Sequence, residues 1–283
     1  MTSGPVNALT VDVEDFFHVQ AFAGVISPAS WDTLPRRVEK NTERLLELCD
    51  RAGVAGTFFT LGWVAERHPA LVRRIVAAGH ELASHGFGHQ RVDGLTPEVF
   101  RDDIFRAKHL LEDTGGVAVA GYRAPTFSIG PRTPWAPKIL AETGHRYSSS
   151  VYPVRHDLYG SPDASRVPYR DAASGLWEFP MTTVRVGSKN LPCSGGGYFR
   201  LLPYPLFRFL LRRANAAQGA GLFYTHPWEI DPGQPRVAGA SRLSRFRHYN
   251  NLAKTFSRLE RLLADFAWDR MDRVYAPLLA PAA

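Results

Sequence analysis

Apolar residues along this chain follow two spacings that take turns. Short, nearly continuous apolar runs alternate with longer stretches in which apolar residues recur three and four positions apart. The first pattern marks buried strands and the second marks amphipathic helices. Strands are expected over residues 8–13, 56–61, 81–84, 119–122, 146–151, 176–179 and 221–225. Helices are expected over 36–52, 69–78, 96–113, 134–143, 203–217 and 250–266. Gly53 and Gly79 stop the first two helices, and Thr96 caps the third with Pro97 at its first position and Glu98 in its first turn. The stretch 153–198, rich in Gly, Pro and Ser, interrupts the alternation and reads as an irregular insertion. Strand–helix alternation with polar residues at the strand ends predicts an α/β fold, a parallel barrel whose chemistry gathers where the strands finish.

Polar residues at four of those ends carry the candidate chemistry. The third strand runs into Glu81-Leu-Ala-Ser-His85-Gly-Phe-Gly-His89, two histidines four residues apart with a glycine on each side of Phe87. Neutral imidazole is a common ligand for zinc and similar ions, and glycine lets a short loop aim both rings at one point. The first strand ends in Asp12-Val13-Glu14-Asp15. One carboxylate there completes a two-histidine, one-carboxylate site, leaving another for proton transfer. Strand alternation puts Glu14 on the side of Asp12. If the strand stops at Val13, Asp15 takes the ligand position instead. The fourth strand supplies Arg123, and the late strand supplies His226 within Thr225-His-Pro-Trp-Glu-Ile-Asp231.

Composition narrows the class. A chain of 283 residues, 45% hydrophobic, is long enough for one large domain, and no run approaches the roughly 20 apolar residues of a membrane span. The N-terminus lacks a basic segment followed by an apolar core, so a cytoplasmic location is expected. Cys49 and Cys193 stand far apart and fit a reducing compartment; neither resembles part of a thiolate metal site. The net charge of +7 is spread along helices, dense only between Arg242 and Arg247, which argues against nucleic acid. A solvated basic surface is the default reading, with an acidic polysaccharide or a membrane surface as the alternative.

Taken in series, these motifs resemble the polysaccharide deacetylase (NodB homology) family, similar to carbohydrate esterase family 4. The match runs from about residue 8 to residue 231: an acidic group, Ser-His-x3-His, Arg-x-Pro-x-Phe and a late histidine. The Asp-Val-Glu-Asp-Phe-Phe opening, Gly195-Gly-Gly-Tyr-Phe-Arg-Leu and Phe246-Arg-His-Tyr-Asn-Asn-Leu further resemble deacetylases associated with exosortase (PEP-CTERM) exopolysaccharide loci. The resemblance implies a partially closed (β/α)7-like barrel in a single domain over 1–283, with a core of about 8–231 and a helical extension of about 232–283. It implies a metal-dependent de-N-acetylase acting on an exopolysaccharide or cell-wall glycan. Zinc is the first choice of ion, with cobalt or nickel suited to the same ligands.

By the same resemblance Asp12 is the general base, Arg123 holds it ionised, and His226 protonates the leaving amine. His85, His89 and either Glu14 or Asp15 bind the metal, while Pro125, Phe127 and Trp228 contact the sugar. Relatives often carry aspartate after Tyr147; Ser148 stands there, so any charge that residue supplies must come from elsewhere, with Asp231 as the candidate. His18, Trp63 and Trp177 read as structural, and His248 and Asn250 as either near the site or on the surface. A cyclic-amide or allantoin-type hydrolase on the same scaffold, and a non-catalytic carbohydrate-binding protein, are the competing readings. The residues leave the oligomeric state open.

Overall fold

A computed structural model describes residues 4–280. The central sheet is built from β1 (Val6–Val13), β2 (Thr57–Thr60), β3 (Glu81–Ser84), β4 (Gly121–Tyr122), β5 (Tyr147–Ser148), β6 (Tyr169–Arg170), β7 (Trp177–Glu178), β10 (Leu222–Thr225) and β11 (Ala267–Asp269). Its order is β10-β1-β2-β3-β4-β5-β7-β6, with β11 added beside the start of β1. β6 alone runs antiparallel in that sheet, so seven strands from β10 to β7 are parallel; the six from β1 to β7 follow chain order, and β10 returns to lie beside β1. The result is a curled half-barrel of the expected kind. Its open side is spanned by single hydrogen bonds rather than by another strand: Leu222 N donates to the Thr182 hydroxyl at 2.5 Å, and Tyr224 N to Ser194 O at 2.7 Å.

Helices cover the outside, namely α1 (Val38–Ala52), α2 (Gly62–Arg67), α3 (Pro69–Ala77), α4 (Pro97–Gly115), α5 (Ala136–Glu142), α6 (Gly196–Leu201), α7 (Tyr204–Gln218), α8 (Arg242–Tyr249) and α9 (Leu252–Asp265). Among the described residues none is long and apolar enough to cross a membrane. Parallel strands are buried on both faces, which explains their continuous apolar runs. In β1 the alternation is legible: Leu9, Val11 and Val13 pack outward with Leu45, Phe58 and Phe223, whereas Ala8 joins Phe59, Ala83 and Tyr147 in the barrel interior. Period-two alternation therefore turns Asp12 inward, onto the axis.

The stretch 153–198 is more regular than its composition suggests. It contributes β7, which falls within the strand expected over 176–179, and also β6, and it forms a hairpin, β8 (Thr183–Val186) with β9 (Lys189–Pro192). The other three strands are short and carry too little periodicity to be read. The extension after residue 231 is likewise sewn into the barrel, since β11 pairs with Val6, Asn7 and Ala8.

One histidine below the sheet makes a stability prediction. His80 is buried, and its Nδ1 accepts from Gly56 N at 3.0 Å. Burial, with Arg270 nearby, pushes it down to about 4. The unfolded chain binds this proton from about pH 6.5 downward and the folded chain does not until about pH 4, so its contribution is lost as pH falls across that window. His80→Gln should flatten the decline of stability between pH 6.5 and pH 4 by up to about 1.4 kcal/mol per pH unit. Denaturant midpoints at several pH values measure this; parallel curves for the two proteins would refute it.

Candidate active site

Asp12 and Arg123 meet at the centre of the barrel mouth. The Arg123 side chain is fully buried, and its Nη1 donates to Asp12 Oδ1 at 2.6 Å and to Thr10 Oγ1 at 2.8 Å. Its Nε and Nη2 donate to Ser149 O and Ser149 Oγ, both at 3.1 Å. A buried guanidinium needs this saturation, because an unpaired donor there costs free energy. The backbone of the same residue does a second job, since its carbonyl lies 2.8 Å from His85 Nδ1. A carbonyl only accepts, so Nδ1 carries the hydrogen and the Nε2 lone pair is free for a metal. This is the usual outer-sphere arrangement for a metal-binding histidine. Burial, partly offset by Asp12, pushes His85 down to about 4 and keeps it neutral.

The loop from β3 aims the second histidine. Gly86 has φ +74, and a Cβ there would lie 2.8 Å from Asp103 Oδ2, so this position requires glycine. Gly88 has open space and an ordinary backbone; only the first of the two glycines is needed. Asp103 of α4 holds the loop by accepting from Phe87 N and Gly88 N. His89 itself sits at φ +51. Thr126 and Phe127 also have positive φ (56° and 48°), so three strained non-glycine residues border one opening, a distribution typical of functional sites.

Glu14, His85 and His89 present ligand atoms that all lie within 4.8 Å of one another. His89 Nε2 is 2.7 Å from Glu14 Oε2, yet the pair is not aligned as a hydrogen bond and Oε2 has no hydrogen-bond partner. A buried carboxylate oxygen without a donor, beside two imidazole nitrogens, fits a divalent ion. Burial would raise the Glu14 pKa, but His89 and His226 outweigh it and hold the group ionised. Although β1 ends at Val13, Glu14 keeps the inward alternation.

Asp15 is turned away from this cluster. Its carboxylate accepts from Phe16 N (2.9 Å), Arg37 N (2.6 Å) and Val38 N (2.8 Å), capping the turn Phe16–His18 and joining it to the start of α1. His18 accepts from Asp15 N and packs between Trp31 and Trp63, so both Trp63 and His18 belong to the core.

His226 follows β10 and reaches over the cluster. Its Nε2 is 3.6 Å from Glu14 Oε1 and 3.8 Å from Asp12 Oδ2. Its Nδ1 is 2.5 Å from Glu229 Oε1. Residues 227–230 form a 3₁₀ turn, where side chains three apart eclipse, which brings Glu229 under His226. Burial opposes protonation, but Glu14, Glu229 and Asp12 prevail, and His226 is pushed up to about 9. Glu229 is in turn held ionised by buried Arg200 of α6, whose Nε donates to Glu229 Oε2 at 2.8 Å.

Glu229 is thus the carboxylate that supports His226, whereas the buried carboxylate beside Ser148 is Glu178. Ser148 Oγ bonds Ser150 Oγ. Asp231, the residue expected from the sequence, lies elsewhere and is held by Arg37 and Asn41. The signal for Glu229 was the three-residue spacing in His-Pro-Trp-Glu, but only a turn of that pitch makes it meaningful.

Of the residues expected to contact sugar, Trp228 and Phe127 line the groove and Pro125 does not. Trp228 is largely buried, its ring near-parallel to His226 at 5.1 Å and to His248 at 4.2 Å. Its indole N–H donates to Glu14 Oε1 at 3.0 Å and orients the candidate ligand. Pro125 is buried beneath the groove, whereas its neighbours Thr126 and Phe127 line it. His248 and Asn250 do reach the groove, which has a volume of about 360 Å³.

Residues 29–148 match the family described as polysaccharide deacetylase. That stretch of the chain belongs to the polysaccharide deacetylase family. Residues 149–276 match a domain of unknown function, DUF3473. The polysaccharide deacetylase match holds His85, His89 and Arg123, but Asp12 and Glu14 precede it and His226 and Glu229 fall in the second match. Three stretches of chain are therefore needed to assemble one site. Similar curated proteins include a peptidoglycan deacetylase of Helicobacter pylori, 29% identical over 113 residues, which are 40% of this chain and 38% of that protein. A chitooligosaccharide deacetylase of Bradyrhizobium is 25% identical over 111 residues, 39% of this chain and 48% of that protein. The matched stretch thus spans less than half of either relative.

Solved structures share the fold across the whole chain. A crystal structure from Mycobacterium smegmatis, described as a polysaccharide deacetylase, is 24% identical with a TM-score of 0.62, covering 100% of this chain and 95% of its own. A carbohydrate esterase family 4 pseudoenzyme from Bacillus anthracis is 11% identical with a TM-score of 0.50, covering 97% of this chain and 66% of its own. The polysaccharide deacetylase fold alone therefore does not imply turnover; the residues in the mouth must decide it.

Proposed function

We propose that this chain is a metal-dependent hydrolase that removes N-acetyl groups from amino sugars of a glycan. The observation that carries the reading is the convergence of Asp12, Glu14, His85, His89, Arg123 and His226 on one groove. A non-catalytic binding protein would have no need for the full set. The named activities of the similar curated proteins are glycan deacetylations, which gives the cyclic-amide reading no support.

Glu14, His85 and His89 would hold a divalent ion, which polarises an amide carbonyl and makes water a better nucleophile. Two imidazoles and one carboxylate suit zinc, with cobalt or nickel as substitutes. Asp12, held in place by Arg123, takes a proton from the attacking water. The water oxygen bonds to the acetyl carbon, and the carbon–nitrogen bond breaks as His226 Nε2 passes its proton to the departing amine. Acetate and a free amino sugar result. Acetate release from N-acetylglucosamine oligomers and from peptidoglycan fragments, before and after chelation, tests this reading; no release from any N-acetylated glycan by metal-loaded protein would sink it. An exopolysaccharide is the natural substrate we favour, on the resemblance of the opening and C-terminal segments to enzymes of such loci.

His226 must be protonated to act, so the rate should fall as pH rises through its pKa. Glu229→Gln removes one of the charges that raise this pKa. The alkaline limb of the pH–rate profile should then move to lower pH by roughly one unit, with His226→Ala abolishing the limb. An unmoved limb in Glu229→Gln would mean that another group donates the proton. Arg200 loses its charged partner in this variant, so rates should be normalised to folded protein.

A further inference from the structure

Charge is segregated along this chain. Residues 179–259 contain twelve arginines or lysines but only two carboxylates, Glu229 and Asp231. Both are consumed internally, Glu229 by Arg200 and His226 and Asp231 by Arg37 and Asn41. The excess positive charge of the molecule therefore resides in this stretch. Around α8 it reaches the surface as Arg236, Arg242 and Arg245, and among the described residues none of these pairs with a carboxylate. Arg247 is spoken for by Asp157 at 2.9 Å.

The same surface is apolar where water should be. Leu243 and Phe246, one turn apart on α8, are 53% and 56% exposed, and Leu201 at the end of α6 is 48% exposed. All three border the groove that contains the candidate active site. A solitary exposed leucine is ordinary, but a cluster around one opening marks an interaction surface. The inner face of α8 is fixed, with His248 stacked on Trp228, packed at a tilt against Phe22, and its Nε2 2.6 Å from Gln234 Oε1. The helix is thus anchored and shows its other face outward.

We infer that the outer face of α8, with Leu201, docks on an anionic lipid bilayer. Leu201, Leu243 and Phe246 enter the headgroup–acyl boundary, and Arg236, Arg242 and Arg245 meet the lipid phosphates. The groove then opens at the membrane surface, next to any glycan displayed there. A soluble acidic polysaccharide would account for the arginines but gives no reason to expose leucine and phenylalanine. Docking does not depend on the deacetylase reading, and its test measures binding rather than turnover.

The test is co-sedimentation of the full chain with vesicles of phosphatidylcholine, alone or with about a third phosphatidylglycerol. Binding is expected only with phosphatidylglycerol, and it should weaken as salt rises. Leu243→Ser/Phe246→Ser should lose about tenfold or more in vesicle affinity, and Arg242→Gln/Arg245→Gln about tenfold or more. Circular dichroism melts confirm that these surface variants remain folded. Absence of binding to the anionic vesicles, or unchanged binding by the serine variant, would overturn the inference. Retention on alginate without vesicle binding, equal for parent and serine variant, would assign the surface to an acidic polysaccharide instead and overturn it too.

Discussion

Asp12→Asn is expected to keep one metal ion per chain and to lose roughly 10²–10⁴-fold in turnover, the usual contribution of a positioned general base. Asparagine preserves the acceptor that faces Arg123 Nη1 at 2.6 Å, so the arginine keeps a hydrogen bond while losing its counter-charge. Removing one partner of a buried ion pair costs about 3–5 kcal/mol when the other charge is stranded. The remaining bonds of Arg123 to Thr10 and Ser149 should hold the actual loss below that range. Metal content, a thermal melt and acetate release, measured on the same preparation, separate the roles. Turnover within about threefold of the parent would remove Asp12 as the base.

Replacing both His85 and His89 by alanine should abolish metal binding and lower activity by roughly 10²–10⁴-fold or more, because several kcal/mol of charge stabilisation leave with the ion. The parent protein should lose stability on chelation by about 2.7 kcal/mol if the metal had been present at a hundred times its Kd. The double variant should melt at the same temperature with and without chelator. Asp15→Asn serves as the contrast. It should retain the ion yet cost about 1–3 kcal/mol of stability, because three backbone N–H groups lose a charged acceptor. Full metal occupancy in the histidine double variant, or loss of the ion in Asp15→Asn alone, would reverse the ligand assignment.

Local signals served the reading of this chain wherever the periodicity was long. The spans of α1 and α4 were legible because apolar spacing agreed with a terminal glycine in the first and a threonine cap in the second; Thr96 Oγ1 does accept from Val99 N, and Gly53 does adopt a left-handed conformation. β3 was legible to the residue. β8, β9 and β11 were not, since their patterns are short and their partners distant: β11 pairs with a strand some 260 positions earlier.

The identity of the chemistry was set by sequence: which strand ends carry carboxylate, imidazole and guanidinium is a matter of position alone. Alternation along β1 already places Asp12 and Glu14 on one side. What the tertiary structure decided is which of the neighbouring groups are free. Asp15 is spent on backbone amides that include Val38 of α1, Trp228 stacks on His248, and Asp231 is held by Arg37, through contacts that bring together residues distant in the chain. Glu229 became the partner of His226 because a 3₁₀ turn eclipses them and because Arg200, from another helix, keeps the carboxylate ionised. A sequence fixes what a side chain can do, but its pKa and its availability depend on burial and on neighbours, and those exist only once the barrel has closed around them.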